Sequence, residues 1–261
     1  MKAAPAGETA APEPFVVVIP ARMASVRLPG KPLLPLAGKP LIAHVIERAL
    51  ESAAREVVVA TEDPRILAVA QECGVAGCLT AADLPSGTDR VAAVAEHYRW
   101  SDQTCIVNLQ GDEPLTPGSL LDRLAALLQG TPDAHMATLA VPLRRLEDWQ
   151  DPNQVKLVTD LRGRALYFSR APIPWDRDAE RSGQVADLSA ARRHLGLYAY
   201  RAGFLRRFCA HPPTLLERQE RLEQLRALAL GAWIQVGDVE EDIPPGVDTP
   251  EDLQRMEERW R

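Results

Sequence analysis

A doubly wound α/β fold with a mainly parallel sheet is predicted by three features of this sequence. Strand-like apolar runs alternate with helical patterns from residue 15 to residue 110, the order that builds βαβ units. The helical patterns keep their apolar residues on one face. At 261 residues the chain is long enough to bury a sizeable core beneath such a sheet and to support an enclosed site.

The run FVVVI (15–19) opens the sheet and leads to the helix PLIAHVIERALESA (40–53). There Ile42, Val45, Ile46 and Ala49 share a face while Glu47, Arg48 and Glu51 fall elsewhere, so the helix packs on the sheet. EVVVA (56–60) is the next strand and PRILAVAQECG (64–74) the next helix. SGTDRVAAVAEHY (86–98) forms a third helix begun by Ser86 or Thr88, and CIVNLQ (105–110) a buried strand ending at Gly111. From about residue 131 strands dominate: HMATLAVPL (135–143), QVKLVTD (154–160), RALYFS (164–169) and HLGLYAYR (194–201). The turn DLRG (160–163) joins two of them as a hairpin, and 131–200 reads as a strand-rich lobe added to the sheet. A helix follows over LLERQERLEQLRALALG (215–231), with Leu222, Leu225, Leu228 and Ala229 as its apolar stripe and Glu223 and Gln224 off it. The strand AWIQVGDV (232–239) and the helix TPEDLQRMEERW (249–260) close the chain, Thr249 serving as cap and Pro250 as first helical residue. The Ala- and Pro-rich residues 1–14 have no apolar core of signal-peptide length and read as a disordered leader, leaving 15–261 as a single domain.

Charge and cysteine usage narrow the class of partner. A net charge of −6 gives no general attraction to nucleic acid or to an anionic membrane, so local positive charge needs a local reason. Cys73, Cys78, Cys105 and Cys209 lack paired CxxC spacing and follow no secretory signal, which points to reduced thiols in the cytoplasm and away from a zinc site. No run is long and apolar enough to span a bilayer.

Positive charge is concentrated in one place. Arg22, Arg27, Lys31 and Lys39 follow the first strand in a stretch, Phe15 to Ile46, that contains no Asp or Glu. A loop between a strand and a helix lies at the carboxyl edge of an open sheet, where ligands bind. Cations without counter-charges suit a polyphosphate there, Arg bridging its oxygens and Lys adding a point charge. A solvated loop is the competing reading. Neither GxxxxGK[ST] nor GxGxxG is present, so the cradle is neither a P-loop nor a dinucleotide turn. NLQGDEP (108–114) places Asp112 just past a buried strand, on the same edge, where it could hold Mg2+ against phosphate oxygens. Asp248 in PPGVDTPEDL is a second candidate, with helix capping as its alternative role.

Taken together, IPARMASVRLPGKPL, SGTDR, VNLQGDEP, ALYFSRAPIPWDRD, RHLGLYAYR, LEQLR and GVDTPEDL resemble the 3-deoxy-D-manno-octulosonate (Kdo) cytidylyltransferases, in family order over residues 15–258. The resemblance implies a Rossmann-like nucleotidyltransferase fold, with a mixed, mainly parallel central sheet and a strand-rich additional lobe. It also implies a cytoplasmic, Mg2+-dependent homodimer that makes CMP-Kdo from CTP and Kdo for lipopolysaccharide synthesis. Carried over by motif, Arg22, Ser25, Arg27 and Lys31 would hold the CTP phosphates. Ser86, Gly87, Thr88, Asp89, Arg90 and Gln110 would surround the nucleoside, and Asp112 and Asp248 would ligate the metal. For the sugar acid the resemblance points to Arg170, His194, Tyr198, Glu223 and Gln224. A carboxylate asks for a cation and many hydroxyls ask for mixed donors and acceptors, so these residue types suit it. Two positions depart from the pattern: Val26 stands where a hydroxyl residue is usual, and Pro85 where a polar one is. Related sugar acids, sialic acid or 8-amino-Kdo, are the alternative substrates, and a non-catalytic CTP-binding module the alternative class.

Overall fold

The first strand, β1 (Val16–Pro20), is buried at every position, and its alternation sends successive side chains into two cores. Val17 and Ile19 pack with Ile42, Val45, Ile66, Leu120 and Leu124 on one face, whereas Val16 and Val18 meet Val91, Val94, Phe204, Leu205 and Phe208 on the other. A strand buried on both faces must be apolar throughout, and burying each Val or Ile fully contributes about 1.5–3 kcal/mol. The computed structural model describes residues 14–24, 27–182, 186–240, 243–244 and 246–260. Of the expected leader 1–14, all but Pro14 lie outside these, as does Ser25.

After β1 the basic loop makes one 3-10 turn at Lys31–Leu33 and a short hairpin, β2 (Pro35–Leu36) and β3 (Lys39–Pro40). The chain then enters α1 (Leu41–Leu50), whose Ile42, Val45, Ile46 and Ala49 are buried as the periodicity requires. β4 (Glu56–Thr61), α2 (Pro64–Glu72) and β5 (Ala76–Leu79) follow. Asp63 caps α2 by accepting from the Arg65 N–H at 2.9 Å. Then come α3 (Gly87–His97), β6 (Cys105–Asn108), α4 (Gly118–Gln129) and β7 (Met136–Pro142). Next are α5 (Leu146–Gln150), β8 (Lys156–Thr159), β9 (Ala165–Ser169), α6 (Arg177–Ser182) and β10 (Arg192–Arg201). The chain ends with α7 (Ala202–Cys209), α8 (Leu215–Glu220), α9 (Gln224–Ala229), β11 (Ile234–Asp238) and α10 (Pro250–Trp260).

The main sheet runs β11-β7-β10-β6-β1-β4-β5. β4, β1 and β6 are parallel, with Val18 beside Val58 on one side and Asn108 on the other. Only β10 runs against its neighbours on this path, so the sheet is mixed but mainly parallel. β1 is flanked by strands that come later in the chain on either side, and the loops after β1, β4, β5 and β6 therefore open on one edge. Such an edge is where open α/β sheets bind ligands.

Two expectations change form. Strand-rich residues 131–200 do not all stand apart: β7 and β10 lie inside the sheet, and only the hairpin β8–β9 extends from it through β10. The helix expected over 215–231 is two helices, α8 and α9, broken at Arg221 with φ 54°. A left-handed residue cannot continue an α-helix. The break turns Gln224 inward, leaving it 6% exposed, while Ala229 of the expected apolar stripe is exposed.

Candidate active site

Three loops meet at the carboxyl edge of β1 because small residues let them touch. Gly111 lies so close to the end of β1 that a Cβ would come within 2.9 Å of the Pro20 carbonyl oxygen, and at Gly246 a Cβ would come within 2.8 Å of that of Asp112. Only glycine tolerates such backbone approaches. The Val247 N–H then donates to the Asp112 carbonyl at 2.8 Å, which sets Asp248 beside Asp112 across a long stretch of sequence.

Both carboxylates converge on the basic loop. Lys31 Nζ lies 2.5 Å from Asp112 Oδ2 and 3.1 Å from Asp248 Oδ1, and Arg27 Nη2 lies 2.8 Å from Asp248 Oδ2. The capping alternative for Asp248 fails, since Thr249 Oγ1 accepts from the Asp252 N–H at 3.2 Å and caps α10 itself. Lys39 points away to Glu47. Arg22, Arg27, Lys31, Gly87, Arg90, Gln110, Asp112 and Asp248 line one cleft of about 280 Å³. Beside it, burial pushes the Glu113 carboxyl up to about 8, the charges of Asp112 and Asp248 adding to the effect. Negative charge is thus crowded at this corner.

The N-terminus of α3 forms the next wall. Ser86 caps it, accepting from the Asp89 N–H at 3.2 Å, and donates to Glu223 Oε1 at 3.1 Å. Thr88 donates to Glu223 Oε2 at 2.6 Å. Burial raises the Glu223 carboxyl, while the Thr88 hydroxyl and the Arg226 guanidinium pull it back. Gln110 donates to Asn108 at 3.3 Å, and Asn108 pairs in the sheet with Tyr198.

A row of rings continues the site along β10. His194 and Tyr198 have centroids 5.2 Å apart, Tyr198 and Tyr200 5.8 Å. His194 Nε2 lies 2.8 Å from the Thr138 hydroxyl, and its ring stands edge-on to Phe168. Burial drives its pKa down to about 3, with Arg193 adding to the effect, so the imidazole is neutral. Arg170 spends its Nε on the Glu220 carbonyl at 2.7 Å and its Nη1 on the Pro152 carbonyl at 2.9 Å. Its backbone N–H donates to Glu220 Oε2 at 2.9 Å.

Of the residues expected around the phosphates, nucleoside and metal, Arg22, Arg27, Lys31, Gly87, Arg90, Gln110, Asp112 and Asp248 meet in one cleft, whereas Ser86 and Asp89 line a neighbouring cavity with Glu223 and Thr88 is buried against Glu223; Ser25 lies outside the described residues. Of those expected around the sugar acid, Glu223 and Gln224 follow the break between α8 and α9 and Arg170 bonds Glu220 just before it, while His194 and Tyr198 stand together along β10. Sequence reasoning passed over Glu62, which follows directly on β4 and ion-pairs with Arg90 at 2.9 Å, and Glu220. Position at the carboxyl end of a strand, the signal that marked Asp112, was present for Glu62 as well.

Comparison with known proteins agrees with this geometry. Residues 16–239 match the family described as Cytidylyltransferase. The 3-deoxy-manno-octulosonate cytidylyltransferase of Thioalkalivibrio sulfidiphilus is 53% identical over 247 residues, 95% of this chain and 99% of that protein. A solved CMP:2-keto-3-deoxy-manno-octonic acid synthetase, complexed with CTP, superposes with a TM-score of 0.86 at 40% identity, covering 95% of this chain and 98% of the other. A 4-diphosphocytidyl-2C-methyl-D-erythritol synthase shares the fold at a TM-score of 0.62 and 16% identity, over 95% and 99% of the two chains. With the cationic loop, the facing carboxylates and near-complete coverage of its relatives, this chain belongs to the cytidylyltransferase family, among the 3-deoxy-manno-octulosonate cytidylyltransferases.

Proposed function

We propose that the chain transfers the cytidylyl group of CTP to Kdo, giving CMP-Kdo and diphosphate for lipopolysaccharide synthesis. The observation that carries this reading is the cleft at the edge of β1, where Arg22, Arg27, Lys31 and Arg90 face Asp112 and Asp248. The CTP bound to the 40% identical neighbour supports the nucleotide, and the names of the relatives support the sugar acid.

The anomeric hydroxyl of Kdo attacks the α-phosphorus in line, forming one P–O bond as the bond to the β-phosphate breaks, with no covalent enzyme intermediate. Positioning and charge neutralisation supply the rate, as in other phosphoryl transfers. Arg22, Arg27 and Lys31 bind the phosphates, and Arg27 and Lys31 stabilise the departing diphosphate. Ser86, Gly87, Thr88, Arg90 and Gln110 hold the nucleoside. Arg170, His194, Tyr198, Glu223 and Gln224 hold the sugar, the neutral His194 acting as a hydrogen-bonding group and not as a cation.

Asp112 and Asp248 fit Mg2+. Their oxygens already converge on a single cation, the Lys31 ammonium, and hard oxygen donors in pairs are what this ion takes beside substrate oxygens and water. When bound, Mg2+ would polarise the phosphate and lower the pKa of the attacking hydroxyl. A homodimer is part of the proposal, supported by the exposed Leu161 and Leu166 on the β8–β9 hairpin. So is a cytoplasmic location, supported by free thiols at all four cysteines. Among the described residues no helix is long and apolar enough to cross a membrane, and Arg22, Arg27, Lys31 and Arg90 line one cleft.

Diphosphate release from CTP and Mg2+, compared for Kdo, 8-amino-Kdo and sialic acid, tests the substrate. Kdo should give the highest kcat/KM; preference for either of the others overturns the assignment. In the same assay Asp112→Asn should lower kcat at least about 10²-fold with the fold intact, and near-normal turnover would remove Asp112 from the metal site.

A further inference from the structure

Glu62 does not itself line the cleft, yet it ties the basic loop to Arg90 on the cleft wall. Its Oε1 accepts the Met23 N–H at 2.9 Å. Met23 in turn accepts, through its carbonyl, the Gly30 N–H at 3.2 Å. Met23 follows Arg22, and Gly30, held at φ 71°, precedes Lys31. One carboxylate oxygen thus pins the point at which the two ends of the basic loop are joined. The other, Oε2, lies 2.9 Å from Arg90 Nη2. This contact is an attraction of charges and not an aligned bond, since Oε2 is buried without a hydrogen-bond donor.

Arg90 needs that charge. Its side chain is 3% exposed, its Nη1 donates to the Thr80 hydroxyl, and it lines the same cleft as Arg22. Burial and the Arg22 charge both disfavour the Arg90 cation, and Glu62 opposes them. A guanidinium in such a place without a counter-ion is a buried unpaired charge.

We propose that Glu62 is a positioning residue for the nucleotide half of the reaction, holding Arg90 at the cleft and fixing the basic loop at Met23. This rests on the reading of the cleft as the CTP site. Glu62→Gln keeps an acceptor for Met23 but removes the charge, and Glu62→Ala removes both. The KM for CTP should rise about 10- to 100-fold, the range for partners that orient a liganding group, and further in Glu62→Ala than in Glu62→Gln. The KM for Kdo should stay near wild type, while the melting temperature of Glu62→Gln should fall, because the Arg90 guanidinium is left buried and unpaired. A CTP KM in Glu62→Gln within about twofold of wild type, or CTP and Kdo constants rising together, overturns the proposal.

Should Glu62→Gln fail to fold, Glu62→Gln/Arg90→Gln replaces the ion pair by two neutral amides. Its CTP KM should match that of Arg90→Gln alone, because the two residues act as a unit, and a clear difference between them overturns the proposal. Wild-type protein that turns over CTP with Kdo while Glu62→Gln keeps the normal CTP KM rejects Glu62 alone. Wild-type protein that neither binds CTP nor turns over rejects the reading of the cleft and this role with it.

Discussion

Lys31 illustrates how a loop with no acid of its own is balanced. Between Phe15 and Ile46 the sequence offers no counter-charge, and the structure supplies it to Arg27 and Lys31 from two distant loops, through Asp112 and Asp248, while Glu62 holds the loop by the Met23 N–H. The basic loop is thereby held before nucleotide arrives, which lowers the ordering cost of binding. His194 is a residue of the opposite kind, kept neutral by burial. Its folded pKa, about 3, lies below the ordinary 6.5, so the unfolded chain binds the extra proton first as pH falls. Its contribution to stability is complete above 6.5 and is lost as pH drops towards 3. The groups around it are Thr138, Phe168, Tyr198 and the Arg193 charge. His194→Gln should therefore flatten the acid side of the stability curve between these values relative to wild type, read from urea unfolding at stepped pH. Equal slopes for the two proteins would show that His194 charges freely in the fold.

At the scale of elements, the break between α8 and α9 makes the sugar side. Thr214 and Glu217 form a capping box that starts α8, and Arg221 ends it in a left-handed turn, so that Glu223 faces α3 and Glu220 faces β9. Glu220 accepts from the Ser169 hydroxyl at 2.8 Å and from the Arg170 N–H at 2.9 Å. Removing that carboxylate in Glu220→Ala loosens the Arg170 segment from α8, with the Arg170 Nε bond to the Glu220 carbonyl left between them. The KM for Kdo should then rise about tenfold while that for CTP stays unchanged, in the pattern of a lost orienting partner. A parallel rise in both constants would mean that Glu220 supports the whole fold instead. The break itself was hidden in the sequence. Leu-rich LLERQERLEQLRALALG carries a helical period and no Gly or Pro before its end, the usual stop signals, and a lone left-handed arginine leaves no compositional mark. By contrast α1, α2 and α3 were legible because each pairs an apolar stripe with a start signal. α4 went unseen behind Pro117 and Gly118, residues that read as a turn, and α7 because it leaves β10 with no turn between them. Glu62 was obscured in the same way: TEDPR reads as the solvated start of α2, where Asp63 and Arg65 do pair with each other.

Across the whole molecule, local pattern announced the strands but could not give their neighbours. β7 and β10 were legible as strands, yet only non-local pairing shows that they complete the central sheet beside β6 and that β8–β9 alone stands off it. That hairpin carries two of the large apolar side chains that the described residues leave exposed, the others being Leu50, Leu79, Trp175, Leu215 and Leu216. Leu161 at its tip is fully exposed and Leu166 on β9 is 57% exposed, whereas the two faces of the main sheet are closed by helices. Exposed apolar groups gathered on a projecting element mark an association surface, and a self-complementary one produces a closed dimer. Wild-type protein should sediment as a dimer, and Leu161→Glu/Leu166→Glu as a folded monomer, since both side chains face solvent in the single chain and their replacement removes no core contact. None of the residues lining the cleft from Arg22 to Asp248 belongs to the β8–β9 hairpin, so the monomeric variant should keep the wild-type KM for CTP. A variant that remains dimeric would move the interface off this hairpin, and a monomer that loses CTP affinity would mean that the partner copy helps to shape the cleft.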